Sequence, residues 1–316
     1  MDHETDRGNT KAAPMVSVVM PAYNHERFVG AAMDSVLEQT FADLELIVID
    51  DGSTDRTGEI VRACKDPRIR YYHQQNQDAY NALNRGMEMS EGAFISIINS
   101  DDVYASNRLQ RLLEIQRATS AACIFSEVSP IDDEGNPLGD QQHPWIAWHE
   151  RNRNYYLERN DLYDGFLNGN YMVTTSNLFM TRALYDTVGG FCSLRYLHDY
   201  DYIFRILLAA ENNTVYVSDE KLLYYRIHDA NTLSEAAITG REQDRQLIRK
   251  YLLAKCPPET HTYIDTAINR LIALEHELIE VHAVLDRHEQ QALAAKPTFL
   301  QRVRKKLTTS FGSGQS

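Results

Sequence analysis

Apolar positions along this chain gather into short runs that stop abruptly at polar residues, and the segments between the runs carry apolar residues at helical spacing. Met15 to Met20, Leu44 to Ile49 and Ala93 to Ile98 are nearly unbroken apolar stretches, which read as strands buried on both faces. Pro21 is expected to close the first of them, because proline has no N–H to give to a central ladder. Phe28, Ala31, Ala32, Ser35, Val36 and Leu37 then have the spacing of a helix that Asn24 or His25 can begin. A second helix passes through Ile60 and Val61, Ile69 to Tyr72 is a short strand, and Tyr80 to Met89 and Asn107 to Arg117 are further helices. Strands alternating with helices at this spacing predict an α/β fold with a single, mostly parallel sheet flanked by helices.

The strand ends hold the candidate chemistry. Leu44 to Ile49 runs into Asp50-Asp51-Gly52-Ser53-Thr54-Asp55, and Ala93 to Ile98 runs into Asn99-Ser100-Asp101-Asp102. In an open α/β sheet the ligand crevice lies outside the carboxyl ends of the strands, so these carboxylates stand where a metal or polar ligand is held. Paired hard oxygen donors suit Mg²⁺ or Mn²⁺. The same acids at the start of the Asn107 helix also suit a capping role, and the residues alone leave both readings open.

The middle and the end of the chain are less regular. Pro130 to Leu167 carries Trp145, Trp148, Tyr155, Tyr156 and Tyr163 with little periodicity, so its aromatics either stack on a ligand or anchor a long surface segment, the latter being favoured. Tyr171 to Met180 reads as a strand, Thr181 to Val188 as a helix, and Gly189-Gly190 as a turn. In His198-Asp199-Tyr200-Asp201 before Arg205, Asp201 and Arg205 are one helical turn apart and can pair, which leaves Asp199 free near the helix start, as a reactive acid or a cap. Tyr224 to His228 ends an apolar strand and leads into a polar loop.

Beyond residue 236 long helices take over. Ile264, Ala267, Leu271, Leu274, Leu278, Val281 and Leu285 alternate spacings of three and four, the seam of a short coiled coil that packs on the rest of the chain or pairs with a second copy. The residues from 296 to 316 form a basic amphipathic or disordered tail, with Phe299, Leu300, Val303 and Leu307 among Arg302, Arg304, Lys305 and Lys306. The expected organisation is a flexible tail at 1–13, a catalytic domain at 14–235, a helical extension at 236–295 and the basic tail.

Charge and cysteine usage narrow the function class. The 32 basic and 45 acidic residues leave a net charge of −13, which argues against nucleic acid as the main partner. Four scattered cysteines show no metal or disulfide pattern, and no stretch approaches a membrane span or a signal peptide, so a cytoplasmic protein is expected, with the basic tail as a possible peripheral membrane contact.

Pro21-Ala22-Tyr23-Asn24, Asp50 to Asp55, Ala82 to Gly92 and Asn99-Ser100-Asp101-Asp102 together resemble the family 2 glycosyltransferases of the GT-A fold, over about residues 15 to 235. The resemblance implies inverting sugar transfer from a nucleotide sugar, usually a UDP-sugar, with a divalent cation, Mn²⁺ or Mg²⁺. Pro21, Ala22, Tyr23, Asn24, Asp51, Asn99, Ser100 and Asp101 would then line the donor site, with Tyr23 and Asp51 on the nucleoside and Asp101 on the ribose or sugar. It places the metal on Asp102 and His228 and makes Asp199 the base that deprotonates the acceptor, a glycan or lipid-linked hydroxyl. Asn99 stands where many relatives have Asp and so serves as a positioning group. The competing functions are a sugar nucleotidyltransferase, which lacks a glycine- and lysine-rich triphosphate loop here, and a non-catalytic nucleotide-sugar-binding scaffold.

Overall fold

The computed structural model describes residues 13–139, 143–194, 196–228 and 239–295, and its contacts divide the chain into two units, 1–251 and 252–316. The N-terminal tail up to residue 12, the polar loop after His228 and the basic segment from 296 lie outside the described residues.

The first unit is built on an eight-stranded mixed sheet. β1 (Val16–Ala22), β2 (Leu44–Asp50), β3 (Ile69–His73) and β4 (Phe94–Ile97) form its parallel half, and β5 (Val103–Tyr104), β6 (Cys123–Ile131), β7 (Phe179–Thr181) and β8 (Thr214–Arg226) complete it in the order β3-β2-β1-β4-β7-β6-β8-β5. β7 is antiparallel to both β4 and β6, while β6 and β8 run parallel to each other. Because β1, β2, β4 and β8 point the same way, their carboxyl ends share one edge of the sheet, and the residues leading into the reversed β7 arrive at that edge too.

Helices cover both faces. α1 (Val29–Leu37), α2 (Thr57–Ala63) and α4 (Arg108–Thr119) bury Val29, Ala32, Met33, Val36, Val61, Leu109 and Leu112 against Val16, Val18 and Met20 of β1. On the other face α3 (Ala79–Glu88), α6 (Leu162–Asn168), α7 (Arg182–Val188) and α8 (His198–Ala210) surround Val19, Ile95 and Ile97. The period of two in each strand therefore feeds two cores at once, and each buried aliphatic side chain is worth about 1.5–3 kcal/mol. Gly86 of α3 is required by this closeness, since a Cβ there would meet Val19 Cγ1 at 2.4 Å.

Two local expectations fail for identifiable reasons. Pro21 continues β1 instead of ending it, opposite Ile49 of β2; pairing with β4 has stopped at Val19, so no partner asks for the missing N–H. The segment read as a strand over Tyr171 to Met180 is mostly a loop and a 3-10 turn at Thr175–Asn177, with β7 confined to its end. There Thr174, Ser176 and Asn177 use their side chains on backbone and carboxylate partners, the competition that breaks ladders in hydroxyl- and amide-rich segments. The aperiodic middle contains α5 (Pro144–Arg159) as well as α6, and its aromatics serve as anchors: Trp145 stacks on His149 and Tyr225, Tyr156 on Tyr171, and Tyr163 is buried.

α9 (Thr239–Ala254) seals the second face through Leu247 and Tyr251, with the Tyr163 hydroxyl donating to the Tyr251 carbonyl at 2.8 Å. The division between Tyr251 and Leu252 thus falls inside the helical stretch that the sequence pattern opens at 236. In the second unit α10 (His261–Ala295) is one continuous 35-residue helix on which Leu271, Leu278, Val281 and Leu285 are each more than half exposed. No helix among the described residues is long and apolar enough to cross a membrane.

Candidate functional site

The loops after β1 and β2 interlock at the common strand edge. Asn24 N–H donates to Ser53 Oγ (3.0 Å) while Asn24 Oδ1 accepts from Thr54 N–H (2.8 Å), and Glu26 N–H donates to Asp55 while Arg56 N–H donates to Glu26. Asp50 is a brace within this lattice, accepting from Ser53 N–H and the Tyr71 hydroxyl. Burial works against its charge, but those bonds prevail and its carboxyl sits below the ordinary range. Gly52 is obligatory, because its φ is +82° and a Cβ would lie 2.8 Å from Asn76 N. Asp51 is buried and accepts from Gln74 Nε2 (2.7 Å) and Gln77 N–H (3.0 Å). Tyr23, 46 % exposed, presents its ring beyond the same edge.

The two acids after β4 have opposite environments. Asp102 is 1 % exposed, and its oxygens accept from Ser176 Oγ (2.5 Å), Thr174 Oγ1 (3.4 Å) and Arg226 N–H (3.0 Å). Burial, with the neighbouring Asp101 charge, pushes its carboxyl up to about 8. Asp101, half-buried, turns instead to His228, whose Nε2 is 3.2 Å from Asp101 Oδ2. Burial would raise its carboxyl too, but the His228 contact and the nearby His25 hold it below the ordinary value. His25, Asp101 and His228 each bring a ligand atom to within 4.8 Å of the others, and they are the one such group among the described residues. An acid and two imidazoles converging at a strand edge fit a divalent cation.

Asn99 and Ser100 hold this edge together. Asn99 Nδ2 donates to Thr174 Oγ1 (3.0 Å) and its Oδ1 accepts from Thr175 Oγ1 (2.9 Å), while Ser100 Oγ is 2.7 Å from His25 Nδ1. Behind them lies Arg108, fully buried, with its guanidinium on the Asn177 carbonyl (2.9 Å) and Ser126 Oγ (3.1 Å). The sequence pattern offered His25 only as a possible helix start and did not single out Arg108. His25 had one available signal, its position directly after the Pro21 to Asn24 stretch, whereas Arg108 reads as an ordinary helix-start residue.

The acid pair on α8 divides as the helical spacing predicts. Asp201 is buried and accepts from Arg205 Nε (2.8 Å), Lys250 Nζ (2.8 Å) and the Tyr251 hydroxyl (2.7 Å). Burial opposes ionisation, but Lys250, Tyr251 and Cys192 outweigh it and bring the carboxyl down to about 2. Asp199 is half-buried and takes one described side-chain bond, from Asn170 Nδ2 at 2.9 Å. Burial raises its carboxyl against the opposing effects of His198, the Tyr200 N–H and Asn170. A carboxylate raised and only partly committed can take up a proton.

An uncharacterised glycosyltransferase of Rickettsia typhi is 30 % identical over 229 residues, covering 71 % of this chain and 67 % of the relative. Among solved structures, S. aureus TarS in complex with UDP-GlcNAc is similar with a TM-score of 0.59 at 20 % identity, over 78 % of this chain and 68 % of that one. A mannosyltransferase from Pyrobaculum calidifontis, solved with GDP-Man and Mn²⁺, has a TM-score of 0.58 at 17 % identity over 95 % of this chain and 81 % of its own. These two likenesses establish the GT-A fold. The sequence profile of glycosyl transferase family 2 matches residues 17–186. The chain belongs to glycosyl transferase family 2 and is a sugar-transferring enzyme.

Proposed function

We propose that the protein is an inverting glycosyltransferase that moves a sugar from a nucleotide sugar, a UDP-sugar by preference, to a hydroxyl of a glycan or lipid-linked acceptor in polysaccharide or glycoconjugate synthesis. The observation that carries this reading is the contrast between Asp201, saturated by three donors, and Asp199, which faces Asn170 alone among described side-chain partners. Asp199 takes the acceptor hydroxyl's proton as that oxygen forms its bond to the anomeric carbon. The bond from that carbon to the diphosphate oxygen breaks, its electron pair leaves with the nucleotide, and no covalent enzyme intermediate forms.

Tyr23 covers the base, and Asp51 accepts the imide proton of uracil with the oxygen that Gln74 does not use. Pro21 and Ala22 set the strand end from which Tyr23 and Asn24 project, and Asn99 and Ser100 position Asp101. Asp101 and His228 would hold a divalent cation whose charge offsets that developing on the diphosphate. The ligand role expected of Asp102 passes to Asp101 in this reading, since Asp102 spends its oxygens on Ser176, Thr174 and Arg226.

The test is product analysis by NMR with a panel of nucleotide sugars, for the parent and Asp199→Asn. The expected product has the anomeric configuration opposite to the donor's, and the variant forms almost none. Retention of configuration, or normal turnover by the variant, would overturn the proposal.

A further inference from the structure

We infer that His25 is a third protein ligand of the cation site, and that the site is built for a first-row transition cation such as Mn²⁺ or Co²⁺ in preference to Mg²⁺. The inference deepens the metal reading above and rests on it. Ligand bonds of about 2.1 Å place two donors on one ion at most about 4.2 Å apart. The 4.8 Å spread of His25, Asp101 and His228 therefore closes with side-chain shifts of a few tenths of an ångström.

The imidazole of His25 is held in place before any ion arrives. Its backbone N–H donates to Thr57 Oγ1 at 2.8 Å, and its Nδ1 meets Ser100 Oγ at 2.7 Å. Such an outer hydrogen bond fixes the ring's orientation and tautomer, the usual support of a metal-binding histidine. Phe28, itself buried, packs against both imidazoles, with ring centroids 6.0 Å from His25 and 4.9 Å from His228.

The donor set then decides the ion. Mg²⁺ favours oxygen ligands, whereas imidazole suits transition metals. Among the described residues oxygen donors are scarce here: the Asn99 amide is occupied by Thr174 and Thr175, and Asp102 is turned into the Ser176, Thr174 and Arg226 network. Among the described residues, Asp101 is the one anionic donor of the group, beside two imidazoles.

Electron paramagnetic resonance of the full-length protein with Mn²⁺ and UDP tests this without turnover, comparing the parent with His25→Ala, His25→Gln, His228→Ala and Asp101→Asn, each checked by thermal melting. Nitrogen couplings from two imidazoles are expected in the parent and from one in each histidine variant. Loss of His25 is expected to weaken Mn²⁺ by about tenfold or more. Excess Mg²⁺ should fail to displace the ion. Unchanged couplings and affinity in both His25 variants, with binding still lost in Asp101→Asn, would remove His25 and leave the metal reading standing. Displacement of Mn²⁺ by an equal concentration of Mg²⁺ would overturn the selectivity, and a parent that binds no Mn²⁺ with UDP would sink both readings.

Discussion

Asn170 Nδ2 donates to Asp199 Oδ2 at 2.9 Å, so the proposed base is oriented from a loop outside its own helix. Asp199→Asn keeps size and shape but cannot accept the proton. Turnover should fall by about 10²–10⁴-fold with nucleotide affinity unchanged. Asn170→Ala removes a donor that favours the charged carboxylate, which raises the Asp199 pKa further. The acid limb of the kcat profile should therefore move to higher pH, and a profile superimposable on the parent's would show that the contact does not tune the base.

Asp101 and Asp102 should separate binding from stability. Asp101→Asn removes the carboxylate that meets His228 and should abolish metal-dependent nucleotide binding with little change in melting temperature. Asp102→Ala strands the donors Ser176 and Arg226 N–H in the interior and should cost about 2–4 kcal/mol. Calorimetric titration and thermal denaturation of both variants check this, and the reverse pattern would return the metal to Asp102.

Asp201 gives the stability a pH dependence of known sign. Its folded carboxyl lies at about 2, below the ordinary unfolded value, so its contribution is full above about pH 4 and is lost as pH falls toward 2. The shift corresponds to about 2 kcal/mol. Asp201→Asn should be less stable at pH 7 and show a shallower loss of melting temperature between pH 5 and pH 2. Parallel curves for parent and variant would count against the assignment.

The long helix α10 is expected to pair with a second copy through Leu271, Leu278, Val281 and Leu285, and apolar residues at alternating three and four spacing are what such a seam needs. Ending the chain near residue 258 should lower the mass measured by light scattering to that of one chain while nucleotide binding persists. A full-length protein that stays monomeric at every concentration would dispose of the dimer.

The parallel half of the fold was legible because Val16 to Met20, Leu44 to Ile49 and Ile95 to Ile98 are buried on both faces and their ends are punctuated by charge. The other half of the sheet was not. In β6 the apolar Cys123 to Phe125 gives way to Ser126 and Glu127 at a register shift, where Glu127 is satisfied by His149, Tyr216 and Arg153, so a strand looks polar. Periodicity also cannot say which way a side chain turns after a strand ends. Asp101 and Asp102 are adjacent in sequence, yet one meets His228 and the other enters the interior.

The segment from Asn170 to Ser176 passes through Val173 at a φ of +78°, a costly conformation for a β-branched residue. Its first residue bonds Asp199, and its last ones bond Asn99 and Asp102. The proposed acceptor and donor ends of the reaction are thus mechanically linked through seven residues. Substitutions at Asn170 and Thr174 should consequently be non-additive in a double-mutant cycle, and relaxing Val173 to glycine should loosen both ends together.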